Sequence, residues 1–204
     1  MSTASAHVNQ KCPITNTSHR LESGLEADAM TVFMARRDVV GIRTQYRIEY
    51  RQEGKVKTHY ADLCVDFING CRTLYAVRNT ENAAKLMVIL EHIRNHELKK
   101  HATAIKLLTE KEISKPLVYR AKQILRAREL TNEKNNEHVL KTLINLGGEA
   151  KAFQLLRSLP EHINVSACWT AVWSLIDRGL VIHDHPNAHH MTMSEISDLA
   201  IVRR

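Results

Sequence analysis

Cysteine is scarce in this chain and spaced wrongly for a metal site. Cys12, Cys64, Cys71 and Cys168 show none of the paired spacings that zinc ligands need. Cys64 and Cys71 flank a predicted turn and are able to approach across it, yet free buried thiols are the expectation. No apolar run is long enough to cross a bilayer, and no secretory leader is recognisable. A soluble, cytoplasmic protein with no membrane partner is therefore expected. Acidic residues are the minority, 22 Asp and Glu against 29 Lys and Arg, for a net charge of +7 and a pI near 9.3. That balance favours an anionic partner such as nucleic acid.

The basic surplus is uneven. Residues 1–130 hold 22 Lys and Arg against 14 Asp and Glu, whereas 131–204 hold 7 against 8. Between Lys85 and Arg128 there are 11 basic and 4 acidic residues, so a phosphate-facing surface is expected there rather than in the C-terminal part. With 204 residues and 44% hydrophobic content, the chain can bury a core in one large or two small domains.

Along the chain, 1–17 is polar and aperiodic and reads as a flexible arm. A helix is predicted from Ser18 to about Arg36, with Leu21, Leu25, Ala29, Val32 and Phe33 as its buried stripe. Glu22 and Glu26 lie one turn apart and share a face. Val39–Ile42 is a short apolar link. Alternation then predicts strands at 44–52 and 56–67, joined through Glu53-Gly54-Lys55, and a third strand at 72–78 after the Asn69-Gly70 turn. A long amphipathic helix from about Glu81 to His96 follows, with Leu86, Ile89, Leu90 and Ile93 inward. A late strand at 104–108 and a basic helix over 117–128 complete an expected α/β/α sandwich with a mixed sheet, spanning 18–130. The polar stretch Thr131–Asn136 reads as a domain boundary. Beyond it come helices at 138–146, 149–159 and 167–178, the last capped by Ser166, and strands at 180–182 and 191–193. That order is the winged helix-turn-helix pattern, assigned to 131–204.

The stretch His59–Arg78 carries the chemistry. An acid, Asp62, near the start of one strand and a cation, Arg78, at the end of the next can meet at one sheet edge. Asp62, then thirteen residues, then positions 76 and 78, matches the spacing of the D…(E/Q)-x-K core of restriction-type nucleases. Carboxylates hold a divalent ion there, and a fixed cation stabilises charge developing on the phosphate. The competing reading is a structural hairpin with one exposed Asp, because position 76 is Ala and position 78 is Arg.

The order of these pieces resembles the TnsA family, the endonuclease subunit of heteromeric transposases, over about 18–128 and more loosely through the C-terminal part. The resemblance rests on Leu21-Glu22-Ser23-Gly24-Leu25-Glu26, on Val39–Tyr50 with Gln45 and Ile48, and on His59-Tyr60-Ala61-Asp62-Leu63. It continues through Ala76-Val77-Arg78 and Leu108–Ile113. It implies a restriction-endonuclease-like fold, with Glu26 and Asp62 as metal-binding carboxylates and the Val77 carbonyl as a further oxygen ligand. Arg78 would stand where the family keeps a catalytic Lys, and Lys85 would reach back in its place if Arg78 does not serve. The implied reaction is Mg²⁺-dependent (or Mn²⁺-dependent) hydrolysis of a phosphodiester at the ends of a mobile element. The implied partners are double-stranded DNA at those ends, a DDE-type transposase and an AAA+ ATPase regulator. Ala76 departs from the family's Glu or Gln, and Ala61 from its Pro. Arg78 keeps a charge that it cannot give up near neutral pH.

Three functions remain open on the sequence. The first is a metal-dependent DNA endonuclease. The second is a catalytically degenerate nuclease-fold subunit that binds DNA or scaffolds a transposition complex. The third is a winged-helix transcriptional regulator, disfavoured by the acidic balance of 131–204. The run His183–His190 offers a metal-site reading through His183 and His185, against a simpler polar loop. The basic face Lys115, Arg120, Lys122, Arg126 and Arg128 is either a DNA track or a solvated helix face.

Overall fold

The computed structural model of the protein describes residues 7–202 and divides into two compact units, Met1–Ser114 and Lys115–Arg204. The first opens with an antiparallel hairpin of β1 (Val8–Cys12) and β2 (Thr17–Leu21). This corrects the expectation of a flexible arm over 1–17, of which 1–6 lie outside the described residues. Cys12 and Leu21 are fully buried at the two strand ends, and that burial holds a pairing whose other side chains are mostly polar. It also delays the first helix. Residues 18–21 belong to the strand, and α1 runs Gly24–Ala35.

The long strands β3 (Val39–Gln52) and β4 (Lys55–Phe67) pair antiparallel along nearly their whole length. The link expected at Val39–Ile42 is the start of β3, since Val39 and Ile42 are buried and Ile42 pairs with Val65. Gln52 faces Lys55 across a two-residue turn in which Glu53 and Gly54 both have positive φ, 53° and 73°. That is the backbone a tight hairpin demands. Gly70 supplies the second left-handed position, at φ 81°, leading into β5 (Arg72–Val77). Asn69 Oδ1 accepts the Cys71 amide at 3.0 Å in the same turn. Cys64 pairs across from Leu74 rather than Cys71, and all four cysteines are free thiols.

From β5 the chain crosses over through α2 (Ala83–His96) to β6 (Ala104–Leu108), which lies parallel to β5. The sheet order β3-β4-β5-β6 is therefore mixed. Neighbouring residues of a strand point to opposite faces. Leu74 packs in a cluster with Leu90 and Ile93 of α2, while the Tyr75 ring stands 4.6 Å from Phe33 of α1. One helix thus covers each face, and the unit is an α/β fold.

The second unit starts earlier than the polar stretch suggested. Helix α3 (Lys115–Leu130) packs on α6 (Val165–Asp177). Tyr119 and the Arg120 guanidinium lie against the Trp173 ring, and Arg128 pairs with Asp177 at 2.8 Å. The expected boundary at Thr131–Asn136 is a helix start instead. Asn132 caps α4 (Glu133–Asn145) by accepting the Lys134 and Asn135 amides. The helix expected at 149–159 divides into β7 (Glu149–Lys151) and α5 (Ala152–Ser158). Asn164, not Ser166, caps α6, at 2.9 Å from the Ala167 amide. The sheet is closed by β8 (Val181–His183) and β9 (Asp198–Ile201), in the order β7-β9-β8. Residues 191–193 are not the returning strand. Met193 is buried as a lone anchor, and the chain pairs again only at Asp198.

Candidate active site

Strands β4 and β5 pair from Asp66–Arg72 to Leu63–Tyr75, and the ladder ends there. Asp62 sits one residue beyond this end. Its Oδ2 accepts the backbone amide of Val77 at 2.7 Å, replacing the strand partner that Val77 lacks on this side. Asp62 is buried, so the exposed Asp of the hairpin reading is corrected. Burial lifts its carboxyl to about 6. The Val77 amide and the Arg78 charge partly offset that rise, and Glu26 and Glu22 add to it.

Glu26 arrives from the opposite wall. It is the third residue of α1, buried to 1% exposure, with its carboxylate turned back on the helix N-terminus. Oε2 accepts the Glu22 amide at 3.0 Å and Oε1 the Ser23 hydroxyl at 2.9 Å, while Ser23 Oγ accepts the Glu26 amide at 3.2 Å. Ser23-Gly24-Leu25-Glu26 is thus a capping motif of the Ser-x-x-Glu kind. The same spacing in the sequence announces it, and it places the helix start after Ser23.

Arg78 follows the last residue of β5. Its Nη1 lies 2.7 Å from the Val77 carbonyl, 3.3 Å from Asp62 Oδ2 and 4.0 Å from Glu26 Oε1. Its Nε and Nη2 make no hydrogen bond with the described residues, and the side chain is 42% exposed. Glu22, Ser23, Glu26, Val77, Arg78 and Asn79 border a cavity of about 370 Å³. His59 lies near enough that the Arg78 charge, after burial, lowers its pKa, and its Nε2 is buried without a partner among the described residues.

Glu26, Asp62, Val77 and Arg78 are therefore brought together as the sequence suggested. Lys85 is not. It is exposed in the first turn of α2, does not border the cavity and forms no ion pair with either carboxylate. Ala76 is fully buried in the cluster against α2 and offers no oxygen. The residues missed are Ser23 and the Glu22 amide, which fix the Glu26 carboxylate.

A Mg²⁺-type ion needs octahedral oxygen ligands with lone pairs to offer. Here both Glu26 oxygens cap α1, Asp62 Oδ2 already accepts two donors, and the Arg78 nitrogen stands among the three expected ligands. Among the described residues no group of three His, Cys, Asp or Glu side chains is placed to hold a metal. Asp62 Oδ1 accepts no hydrogen bond from the described residues, but the Arg78 guanidinium stands where a divalent ion would have to bind. The C-terminal histidines belong to no such three-ligand group among the described residues either. His183 is buried, with its ring 6.2 Å from His185, and burial and Arg120 depress its pKa. On the basic face of α3, Arg120 and Arg128 are engaged inside the second unit, and Lys115, Lys122 and Arg126 are solvent-exposed.

Comparison of the chain with protein-family models and with curated proteins finds no match to either. Among the described residues no helix is long and apolar enough to cross a membrane.

Proposed function

We propose that the chain is a TnsA-like subunit of a transposition complex that engages DNA at the element's ends without hydrolysing it. The observation that carries this reading is the state of the two carboxylates. They converge on the Arg78 guanidinium, which takes the place a metal ion would need, and position 76 adds no third oxygen. In this reading the first unit is a restriction-endonuclease-like sandwich retained for binding, with Lys and Arg as the phosphate-facing groups. The transposase and an AAA+ ATPase would be its protein partners.

The second unit is read as a winged helix, supported by its order α4-β7-α5-α6-β8-β9. Its α6, VSACWTAVWSLID, holds no Lys, Arg or His. A helix that reads DNA bases normally presents such groups, so docking to a protein partner suits this unit better than a regulator's DNA contact.

A second reading, Mg²⁺-dependent cleavage, is favoured by one observation. A carboxyl at about 6, lying 3.3 Å from a nitrogen of Arg78, whose side chain borders the cavity, is suited to proton transfer near neutral pH. One experiment separates the two. The protein is incubated with its cognate transposase, Mg²⁺ or Mn²⁺, and DNA bearing the element's ends, alongside Asp62→Ala. Complex assembly with the non-transferred strand left intact is expected for both proteins. Cutting of that strand by the parent but not by Asp62→Ala would replace the proposal with the endonuclease. Tight, salt-sensitive binding of unrelated promoter DNA through the second unit would revive the regulator.

A further inference from the structure

We infer that Arg78 is the resident cation of the carboxylate site, and that its guanidinium keeps a divalent ion out. The inference rests on the nuclease-type reading of the Glu26–Asp62 pair, but not on DNA binding. Three oxygens of different origin, Val77 O, Asp62 Oδ2 and Glu26 Oε1, point at one nitrogen, Arg78 Nη1, at 2.7, 3.3 and 4.0 Å. They come from a strand end, a neighbouring strand and a helix N-terminus. A backbone carbonyl and two carboxylates are the donors that hard divalent cations prefer. The guanidinium therefore occupies a cation site rather than an incidental surface position.

Its charge also explains how two acids are buried side by side. Without Arg78, Asp62 and Glu26 would be two buried carboxylates with no cation between them, an arrangement that either takes up a proton or recruits a positive ion. The Arg78 side chain is half-exposed and borders the cavity of about 370 Å³, so removing it opens the three oxygens to solvent. Asp62 Oδ2 then keeps the Val77 amide and regains a free lone pair. Glu26 Oε1 keeps only the Ser23 hydroxyl.

The test is Mn²⁺ binding to the full chain without DNA, read from the loss of the free-ion electron paramagnetic resonance signal. The parent is expected to bind only in the millimolar range. Arg78→Ala is expected to bind at least about tenfold tighter, because it removes a unit charge within about 4 Å of both carboxylates. Adding Asp62→Asn to that variant should abolish the gain. Arg78→Gln, which keeps length and donors without the charge, gives the answer if Arg78→Ala does not fold by circular dichroism. Parent binding as tight as either variant, a folded variant with no gain, or a gain that survives Asp62→Asn would each overturn the inference. Failure of the parent to bind element ends would sink the proposed function and leave this result intact.

Discussion

Asp62 is the residue whose ionisation the fold opposes. Its carboxyl is raised from 3.8 to about 6, chiefly by burial. A raised acid pKa means that the native state holds the proton more tightly than the unfolded chain does. Stability is then greatest below about pH 4, falls as pH rises through the window between 3.8 and about 6, and is flat above it. A shift of this size corresponds to at most about 3 kcal/mol. Asp62→Asn keeps an acceptor for the Val77 amide and carries no charge. It is expected to be more stable than the parent at pH 7 and equal to it near pH 4, by urea denaturation at both values. A constant difference at the two pH values would show that Asp62 is not destabilised by its ionisation. The meeting of Asp62 and Arg78 was legible from the hairpin alone, since strand alternation and the Asn69-Gly70 turn bring their chain positions together. The direction of Asp62's hydrogen bonds was not. It depends on where the β4–β5 ladder stops, and no residue type marks that point.

At the scale of elements, α1 is positioned by its cap. Ser23 both accepts the Glu26 amide and donates to its carboxylate. Ser23→Ala is expected to cost about 1–2 kcal/mol, measured by chemical denaturation. It should cost more than Ser166→Ala, because Ser166 holds no cap on α6. On the other face, Leu90 is fully buried between α2 and β5, and Leu90→Ala should cost about 2–5 kcal/mol. The meander and its flanking helix were readable because alternation over 44–52 and 56–67 is long and both turns carry residues tolerant of left-handed backbone. The β1–β2 hairpin was not readable. Its strands are five residues each and mostly polar, and only Cys12 and Leu21 are fully buried. Strands β7 and β9 escaped for a related reason. At three and four residues they are short, and neither EAK nor DLAI is an apolar run rich in β-branched residues like the Leu180-Val181-Ile182 that marked β8.

At the scale of the molecule, the division after Ser114 makes α3 the first helix of the second unit rather than the last of the first. Its sequence is basic and amphipathic, which suits either assignment, and a polar stretch after it looks like a linker. What decides the matter is the partner of its apolar side. Val118, Ala121, Ile124 and Ala127 are buried, α3 packs on α6, and Arg128 reaches Asp177. A fragment of 115–204 is therefore expected to unfold in one cooperative transition. A fragment of 131–204, cut at the polar stretch, would uncover the α6 surface around Trp173 and is expected to lose that cooperativity and to bind hydrophobic dyes. Thermal melts followed by near-ultraviolet circular dichroism of the two tryptophans, Trp169 and Trp173, compare the fragments directly. Equal, sharp transitions in both would return α3 to the first unit. Loss of structure in the shorter fragment alone would mean that partner-docking experiments on the second unit must begin at Lys115. It would also place three exposed cations, Lys115, Lys122 and Arg126, in the unit whose α6 carries none. Any salt-sensitive DNA affinity of that fragment should then fall on Lys122→Glu and Arg126→Glu in α3, while Thr170→Ala in α6 leaves it unchanged.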